Sequence, residues 1–274
     1  MPDERWLEDP SGYRGRKKHL DLLLGSFVPT GLILDAGCGS GTYGIILAGT
    51  GATVIGIDMA SEAVAMAKER ARRKAVNFSP MLGDLESVAA RNECFDVCFC
   101  GWVLHHLPDI RPALSELTRV LKPGGRILIV EPNESNLAVR LSRLVEGFAR
   151  RWILKAGWDT PNRSAHLRNH YVAVLEELGF TDIQVNSCFG GGLPPLPVKP
   201  ESQWLSPIIP ALLRLAFHLR TLCFVIAAKI FRPPLNGPEL LIVAALGDNA
   251  KQEAEEHRCG RRPYSGSSVR ASDL

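Results

Sequence analysis

The sequence predicts an α/β fold, a doubly wound and mainly parallel sheet of seven strands with helices on both faces. Three observations carry this. Short β-branched apolar runs alternate with helical stretches from Leu32 to Val130. Those runs are apolar on both faces, as strands are when helices cover a parallel sheet on two sides. The first run leads into three alternate glycines, Gly37, Gly39 and Gly41, followed by a helical pattern. Ligands of such sheets bind beyond the carboxyl ends of the strands, at the switch point. Function is therefore expected just after strands one, two, four and five.

The elements follow in order. Tyr13–Phe27 reads as an opening amphipathic helix within an N-terminal helical segment, 1–30. Leu32–Asp35 is the first strand, Thr42–Gly49 a helix, Ala52–Asp58 the second strand and Ser61–Lys74 a helix rich in alanine and charge. Val76–Pro80 and Phe95–Gly101 are the third and fourth strands. Arg111–Leu121 is a helix closed by Lys122-Pro123-Gly124-Gly125, a stop and turn, before a fifth strand Arg126–Val130. His170–Leu178 is a helix ended by Gly179, Asp182–Ser187 the sixth strand and Glu239–Leu246 the seventh. The domain core is expected over 31–190, with a basic lid at 133–169. An apolar, largely helical insertion at 191–238 separates the last two strands. The final strand lies in 239–247 and a disordered tail in 248–274.

The chain's 274 residues suffice for one large domain with a buried core, and 46% apolar with 22% charged residues is an ordinary globular balance. A net charge of +3 does not argue for nucleic acid. Seven cysteines without metal-ligand spacing read as reduced core thiols, which points to the cytoplasm, and no metal site is expected. Met1–Pro10 holds four acidic residues and no apolar core, so it does not read as a signal peptide.

The glycine loop sits in Leu32-Ile33-Leu34-Asp35-Ala36-Gly37-Cys38-Gly39-Ser40-Gly41. Glycines turn the backbone sharply and let a ligand lie against bare peptide. Gly39-Ser40-Gly41-Thr42-Tyr43-Gly44 also fits the dinucleotide pattern, so the loop alone leaves two ligand classes open. Asp35 separates them. A carboxylate there repels a pyrophosphate but favours the ammonium and sulfonium of S-adenosylmethionine (SAM). The competing role for Asp35 is to cap the following turn. Asp58 ends the second strand 17 residues after Gly41. That is close to the ~20-residue spacing at which an acid reaches ribose hydroxyls. Met59 is expected to pack on adenine. The alternative for Asp58 is a helix N-terminal acid favoured by the dipole.

From Gly31 to Val130 the chain resembles the class I SAM-dependent methyltransferases, in the small-molecule and lipid branch that includes ubiquinone/menaquinone-biosynthesis enzymes. The resemblance rests on Leu34-Asp35-Ala36-Gly37-Cys38-Gly39-Ser40-Gly41, Gly56-Ile57-Asp58 and Gly83-Asp84-Leu85. Phe95-Asp96-Val97 running to Leu104-His105-His106-Leu107-Pro108-Asp109, and Leu121-Lys122-Pro123-Gly124-Gly125-Arg126, complete it. It implies a Rossmann-like sheet ordered 3-2-1-4-5-7-6 with the seventh strand antiparallel. It also implies that Asp35, Gly37 and Gly39, with Cys38 and Gly41 in the same loop, hold the methionine end. Asp58 would then hold the ribose, with Asp84 and Leu85 at the adenine.

Methyl transfer is a direct displacement that chiefly needs alignment and, where required, removal of the acceptor's proton. The loop Gly101-Trp102-Val103-Leu104-His105-His106 is expected to face the sulfonium, with Gly101 and Trp102 at the cofactor. His105 or His106 is a candidate general base; the alternative is loop structure and packing. The loop lacks the Asp/Asn-Pro-Pro-Tyr/Phe pattern of nitrogen methylation in DNA and proteins, so nucleic acid is not expected as a partner. Arg140, Arg143, Arg150, Arg151 and Lys155 with recurring leucines make the lid a basic amphipathic element suited to an anionic substrate or surface, or to plain packing. Ile208–Phe231 is long and mostly apolar, with Arg214, His218, Thr221 and Lys229 on one stripe at about 100° per residue and Arg220 off it. Its readings are a membrane interface, a dimer or partner surface or the protein's own core, and a true membrane span. The functional expectation is methyl transfer from SAM to a small, hydrophobic or lipid-like acceptor. The alternatives are an NAD-type oxidoreductase and a silent SAM-binding protein.

Overall fold

The computed structural model describes Leu20, residues 29–134, Asn136, Val139, Ser164, 166–188 and 239–247. The opening helix apart from Leu20, most of the basic lid, the 191–238 insertion and the tail lie outside the described residues.

The strands are β1 (Leu32–Ala36), β2 (Thr53–Asp58), β3 (Phe78–Leu82), β4 (Phe95–Gly101), β5 (Leu121–Pro132), β6 (Phe180–Cys188) and β7 (Glu239–Leu246). They form one sheet in the order β3-β2-β1-β4-β5-β7-β6. The first five run parallel, and β7 is antiparallel to both β5 and β6. The order reverses between β1 and β4, so the ends of these two strands open the crevice expected at a switch point.

Alternate residues of each strand serve different faces. On one side Ile33, Val54, Val97, Phe99 and Leu128 pack with Ile46, Leu47, Ala67 and Ala71 of α1 (Thr42–Ala48) and α2 (Ser61–Lys74). On the other, Leu34, Ile57, Cys98, Cys100 and Ile129 pack with Leu114 and Leu117 of α3 (Arg111–Val120) and with Tyr171 and Val174 of α4 (Arg168–Glu177). In α2, Glu62 stands in the first turn and Arg72, Arg73 and Lys74 in the last, each sign matching the helix dipole.

Several boundaries differ from the sequence reading: the sixth strand runs over Phe180–Cys188 and the helix before it over Arg168–Glu177, and two further differences follow from strand pairing. The third strand is Phe78–Leu82, two residues later than its β-branched start, because Phe78 is the residue that pairs with Val54. The turn at Lys122–Gly125 lies inside β5: Leu121 pairs with Phe95, the register shifts, and pairing resumes at Arg126 with Val97. Gly124 takes φ +71 in this bulge. Lys122 Nζ then meets Asp96 Oδ1 at 2.6 Å, while Asp96 Oδ2 accepts the Leu32 N–H at 2.8 Å. These two motif residues therefore tie β1, β4 and β5 together at the end of the sheet away from the crevice.

Candidate functional site

The glycine loop is built by its neighbours. The N–H groups of Gly37 and Cys38 both donate to the Ile57 carbonyl, at 2.8 and 2.9 Å, and the Gly39 N–H donates to Asp58 Oδ2 at 2.7 Å. Gly37, Gly39 and Gly41 all take positive φ. Their bare faces differ in what they meet. A Cβ at Gly37 would stand 2.3 Å from Val103 Cγ2, and one at Gly41 would stand 2.6 Å from the Phe78 ring. One at Gly39 would meet nothing within 4 Å. Gly39 is thus the residue of the three whose peptide is open to a ligand. Arg70 of α2 clamps the loop from outside, donating from Nη1 to the Ser40 carbonyl, to Ser40 Oγ at 3.1 Å and to Thr42 Oγ1 at 3.3 Å.

Asp35 lies beneath this loop at 2% exposure. Burial raises its carboxyl from the ordinary 3.8 to about 7; a hydrogen bond from the Gly44 N–H opposes the rise and the charge of Asp58 adds to it. Its Oδ2 is buried with no hydrogen-bond partner. The Gly44 N–H thus takes up part of the carboxyl's acceptor capacity, and Oδ2 faces the interior without a hydrogen-bond partner.

Asp58 is half-buried, with Oδ2 on Gly39 and Oδ1 accepting the Ala60 N–H at 2.9 Å. Each oxygen keeps lone-pair capacity for a further donor. Beside it Met59 is 71% exposed, and Leu82, which pairs with Asp58 across β2 and β3, is 64% exposed. Two large apolar side chains thus stand open at one strand end. Asp84 is exposed, its Oδ1 accepting the Glu86 N–H at 2.9 Å, whereas the Leu85 side chain belongs to the buried core. Cys38 is buried, and burial first, then the charges of Asp35 and Asp58, push its thiol far up. Cys98 and Cys100 are buried with raised thiols as well, so these cysteines are neutral core groups.

The opposite wall is the loop after β4. A Cβ at Gly101 would meet the Phe99 ring at 2.7 Å. Trp102 adopts φ +59, left-handed backbone that costs a non-glycine residue about 1–3 kcal/mol, and its N–H donates to the Val130 carbonyl at 2.8 Å. His105 is 5% exposed and its Nδ1 lies 2.6 Å from Oε2 of the fully buried Glu131. Its ring meets the Trp102 indole edge-on and lies 4.0 Å, centre to centre, from His106. His106 is the more accessible of the two histidines. Ser164 N–H donates to the His105 carbonyl at 2.7 Å, and His166 Nε2 bonds the Leu107 carbonyl at 2.9 Å, so Ser164 and His166 are held on this loop.

The structure therefore brings Asp35, Gly37, Cys38, Gly39, Gly41, Asp58, Met59, Gly101, Trp102, His105 and His106 to the carboxyl ends of β1, β2 and β4, with Asp84 and Leu85 after β3. Sequence reasoning missed Arg70, Leu82, Val103 and Glu131. Only Glu131 carried a signal, an acid at the end of an otherwise apolar strand. Among the described residues no group of three His, Cys, Asp or Glu side chains is placed to hold a metal ion. None of the described helices is long and apolar enough to cross a membrane.

A seven-stranded sheet of this order, with a carboxylate under the glycine loop and a second at the end of β2, defines the class I SAM-dependent methyltransferase fold. Residues 34–129 match the family described as a methyltransferase domain. The chain is 31% identical over 103 residues to a ubiquinone biosynthesis O-methyltransferase of Coxiella burnetii, covering 38% of this chain and 44% of the relative. It is 36% identical over 105 residues to a malonyl-[acyl-carrier protein] O-methyltransferase of Serratia marcescens, covering 38% and 40%. The chain thus spans about half the length of the curated relatives it matches. A solved SAM-dependent methyltransferase of Thermotoga maritima, a possible histamine N-methyltransferase by its description, shares the fold at TM-score 0.55 and 18% identity, covering 88% of this chain and 93% of that one.

Proposed function

We propose that the protein transfers a methyl group from SAM to a small-molecule acceptor. The observation that carries the reading is the open peptide face of Gly39, bonded to the Asp58 carboxylate, together with the unpartnered Oδ2 of Asp35 at the end of β1. A nucleoside with a cationic amino-acid tail needs that set: a carboxylate for vicinal hydroxyls, bare peptide for the tail, and negative potential near the positive groups. A dinucleotide would set its pyrophosphate against the same negative potential.

Bound SAM would supply an electrophilic methyl on a positively charged sulfur. The chain's own residues do the rest. Asp58 receives ribose hydroxyls, Met59 and Leu82 flank the adenine, and the Gly39 peptide borders the methionine end. The 102–106 loop holds the acceptor side in place. Both relatives named above are O-methyltransferases, which supports an oxygen acceptor whose proton must leave. His106 is assigned as the group that takes it, since its ring is the more accessible of the two; His105, whose Nδ1 meets Glu131 and whose Nε2 is left as an acceptor, is the second candidate. A hydrophobic or lipid-like acceptor is favoured by the apolar stretch Ile208–Phe231, read as an interfacial helix.

Calorimetric titration with S-adenosylhomocysteine and, separately, NADH tests the donor class. Binding of the first alone is expected; binding of NADH alone would sink the reading. Incubation of the protein and labelled SAM with lipid and aqueous extracts then reads the acceptor class, label in the lipid fraction being expected.

A further inference from the structure

Glu131 is fully buried at the carboxyl end of β5, and the reading of the crevice as a SAM site gives it no task. Its surroundings assign one. Oε1 accepts the N–H groups of Val103 at 2.9 Å and Leu104 at 2.7 Å, while Oε2 lies 2.6 Å from His105 Nδ1. Three donors from consecutive residues of the β4 loop converge on one carboxylate. An uncompensated charge could not stay at this depth, and the low dielectric that makes it costly also makes each satisfied bond strong. An apolar side chain of similar volume would fill the space without that requirement, so packing alone does not account for an acid here.

The same loop holds two features that need an anchor. Trp102, one residue earlier, keeps a left-handed backbone that persists only where its neighbours over-determine it. The Val103 side chain lies on the bare face of Gly37, so whatever fixes the Val103 backbone also fixes the first turn of the glycine loop. A carboxylate offers only lone pairs, and Oε1 already receives two donors; the hydrogen between Oε2 and the ring therefore belongs to His105 Nδ1.

We propose that Glu131 is a positioning residue for methyl transfer: it locks the 102–106 loop against the glycine loop and holds the His105 ring with Nδ1 as donor. The proposal rests on the crevice being the SAM site, although its effect on the His105 ring is independent of any ligand.

The test uses the full chain as wild type, E131Q and E131A, with long-range proton–nitrogen spectra of the histidines and calorimetry with S-adenosylhomocysteine as the probe. Wild type should show a protonated His105 Nδ1. In E131Q the amide oxygen still accepts from Val103 and Leu104, but the amide NH2 now donates to Nδ1. The ring should move its hydrogen to Nε2 while the probe binds as to wild type. E131A removes all three bonds to the carboxylate, and its probe affinity should fall about tenfold or more as the loop shifts by a fraction of an ångström. A folded E131A with wild-type affinity and only a lower Tm would reduce Glu131 to a structural acid and overturn the proposal. So would a wild-type His105 lacking the Nδ1 proton, or an E131Q spectrum unchanged from wild type. If E131A fails to fold, E131Q alone decides. Absence of probe binding to wild type would overturn the SAM reading and the methyl-transfer role with it, while the nitrogen spectra would still decide whether Glu131 orients His105.

Discussion

Val103 rests on the bare peptide of Gly37: a Cβ placed there would lie 2.3 Å from Val103 Cγ2 and 2.6 Å from Val103 Cβ. The loops that end β1 and β4 are therefore packed against each other with the Val103 side chain in the space that a side chain at Gly37 would take. Two residues on, at Gly39, the peptide is equally bare and faces open space. Glycines two positions apart thus meet different requirements, one internal and one toward a ligand.

Alanine at each position separates these requirements. Gly37→Ala adds a clash with a branched side chain to the cost of a positive φ, and should destabilise the fold by about 2–4 kcal/mol. Gly39→Ala pays only the positive φ, about 1–2 kcal/mol, but places a methyl where the ligand lies. Thermal melts and S-adenosylhomocysteine calorimetry should show Gly37→Ala losing more stability and Gly39→Ala losing more affinity per unit of stability lost. Equal behaviour of the two would contradict the assignment of Gly39 as the open face.

Asp58→Ala removes the acceptor for the Gly39 N–H together with the ribose partner. SAM affinity should fall by roughly 1–3 kcal/mol, measured by calorimetry. Unchanged affinity would remove Asp58 from the binding site.

Most of the sheet was legible in the sequence because strand and helix periods differ and Gly37, Gly39, Gly41 and Gly179 punctuate them. The places that were not legible share one cause, pairing at a distance. The β3 boundary is set by Phe78 meeting Val54, and the Lys122–Gly125 turn is absorbed into β5 because Leu121 and Arg126 both find partners on β4. The site followed the same rule. Asp58 and the glycines were visible as local pattern. Val103, whose apolar side chain is unremarkable in sequence, and Arg70, one of several basic residues on α2, gained their roles only when the strand ends were brought together.

Asp35 should make both stability and binding depend on pH. Its folded carboxyl is raised to about 7 against an ordinary 3.8, so the folded chain holds the proton more tightly than the unfolded one. The sign follows: its stabilising share is complete below about 3.8, is lost as pH rises toward 7, and stays lost above. The total is on the order of a few kcal/mol. Asp35→Asn should flatten this slope, so that variant and wild type differ less favourably for wild type at pH 8 than at pH 5 in denaturant titrations. A cationic ligand favours the ionised form, and SAM binding near neutral pH should release protons from wild type but fewer from Asp35→Asn. Titration in buffers of different ionisation enthalpy reads this directly, and equal proton release from both proteins would dissociate Asp35 from the ligand's charge.

The two histidines should part in mutagenesis. His105→Ala leaves Glu131 buried with its Oε2 bare, a loss of the kind that costs about 3–5 kcal/mol when a buried charge is left uncompensated. His106→Ala removes a half-buried ring and leaves the Glu131 carboxylate with its three donors, so the fold should lose less than in His105→Ala. Its effect should fall on the reaction instead, lowering kcat by about 10²–10⁴ with S-adenosylhomocysteine affinity kept, as expected when a general base is lost. A bell or shoulder in the kcat–pH profile that disappears in His106→Ala would tie the loss to proton removal. Wild-type turnover in that variant would mean that the acceptor arrives already ionised or gives its proton to another group.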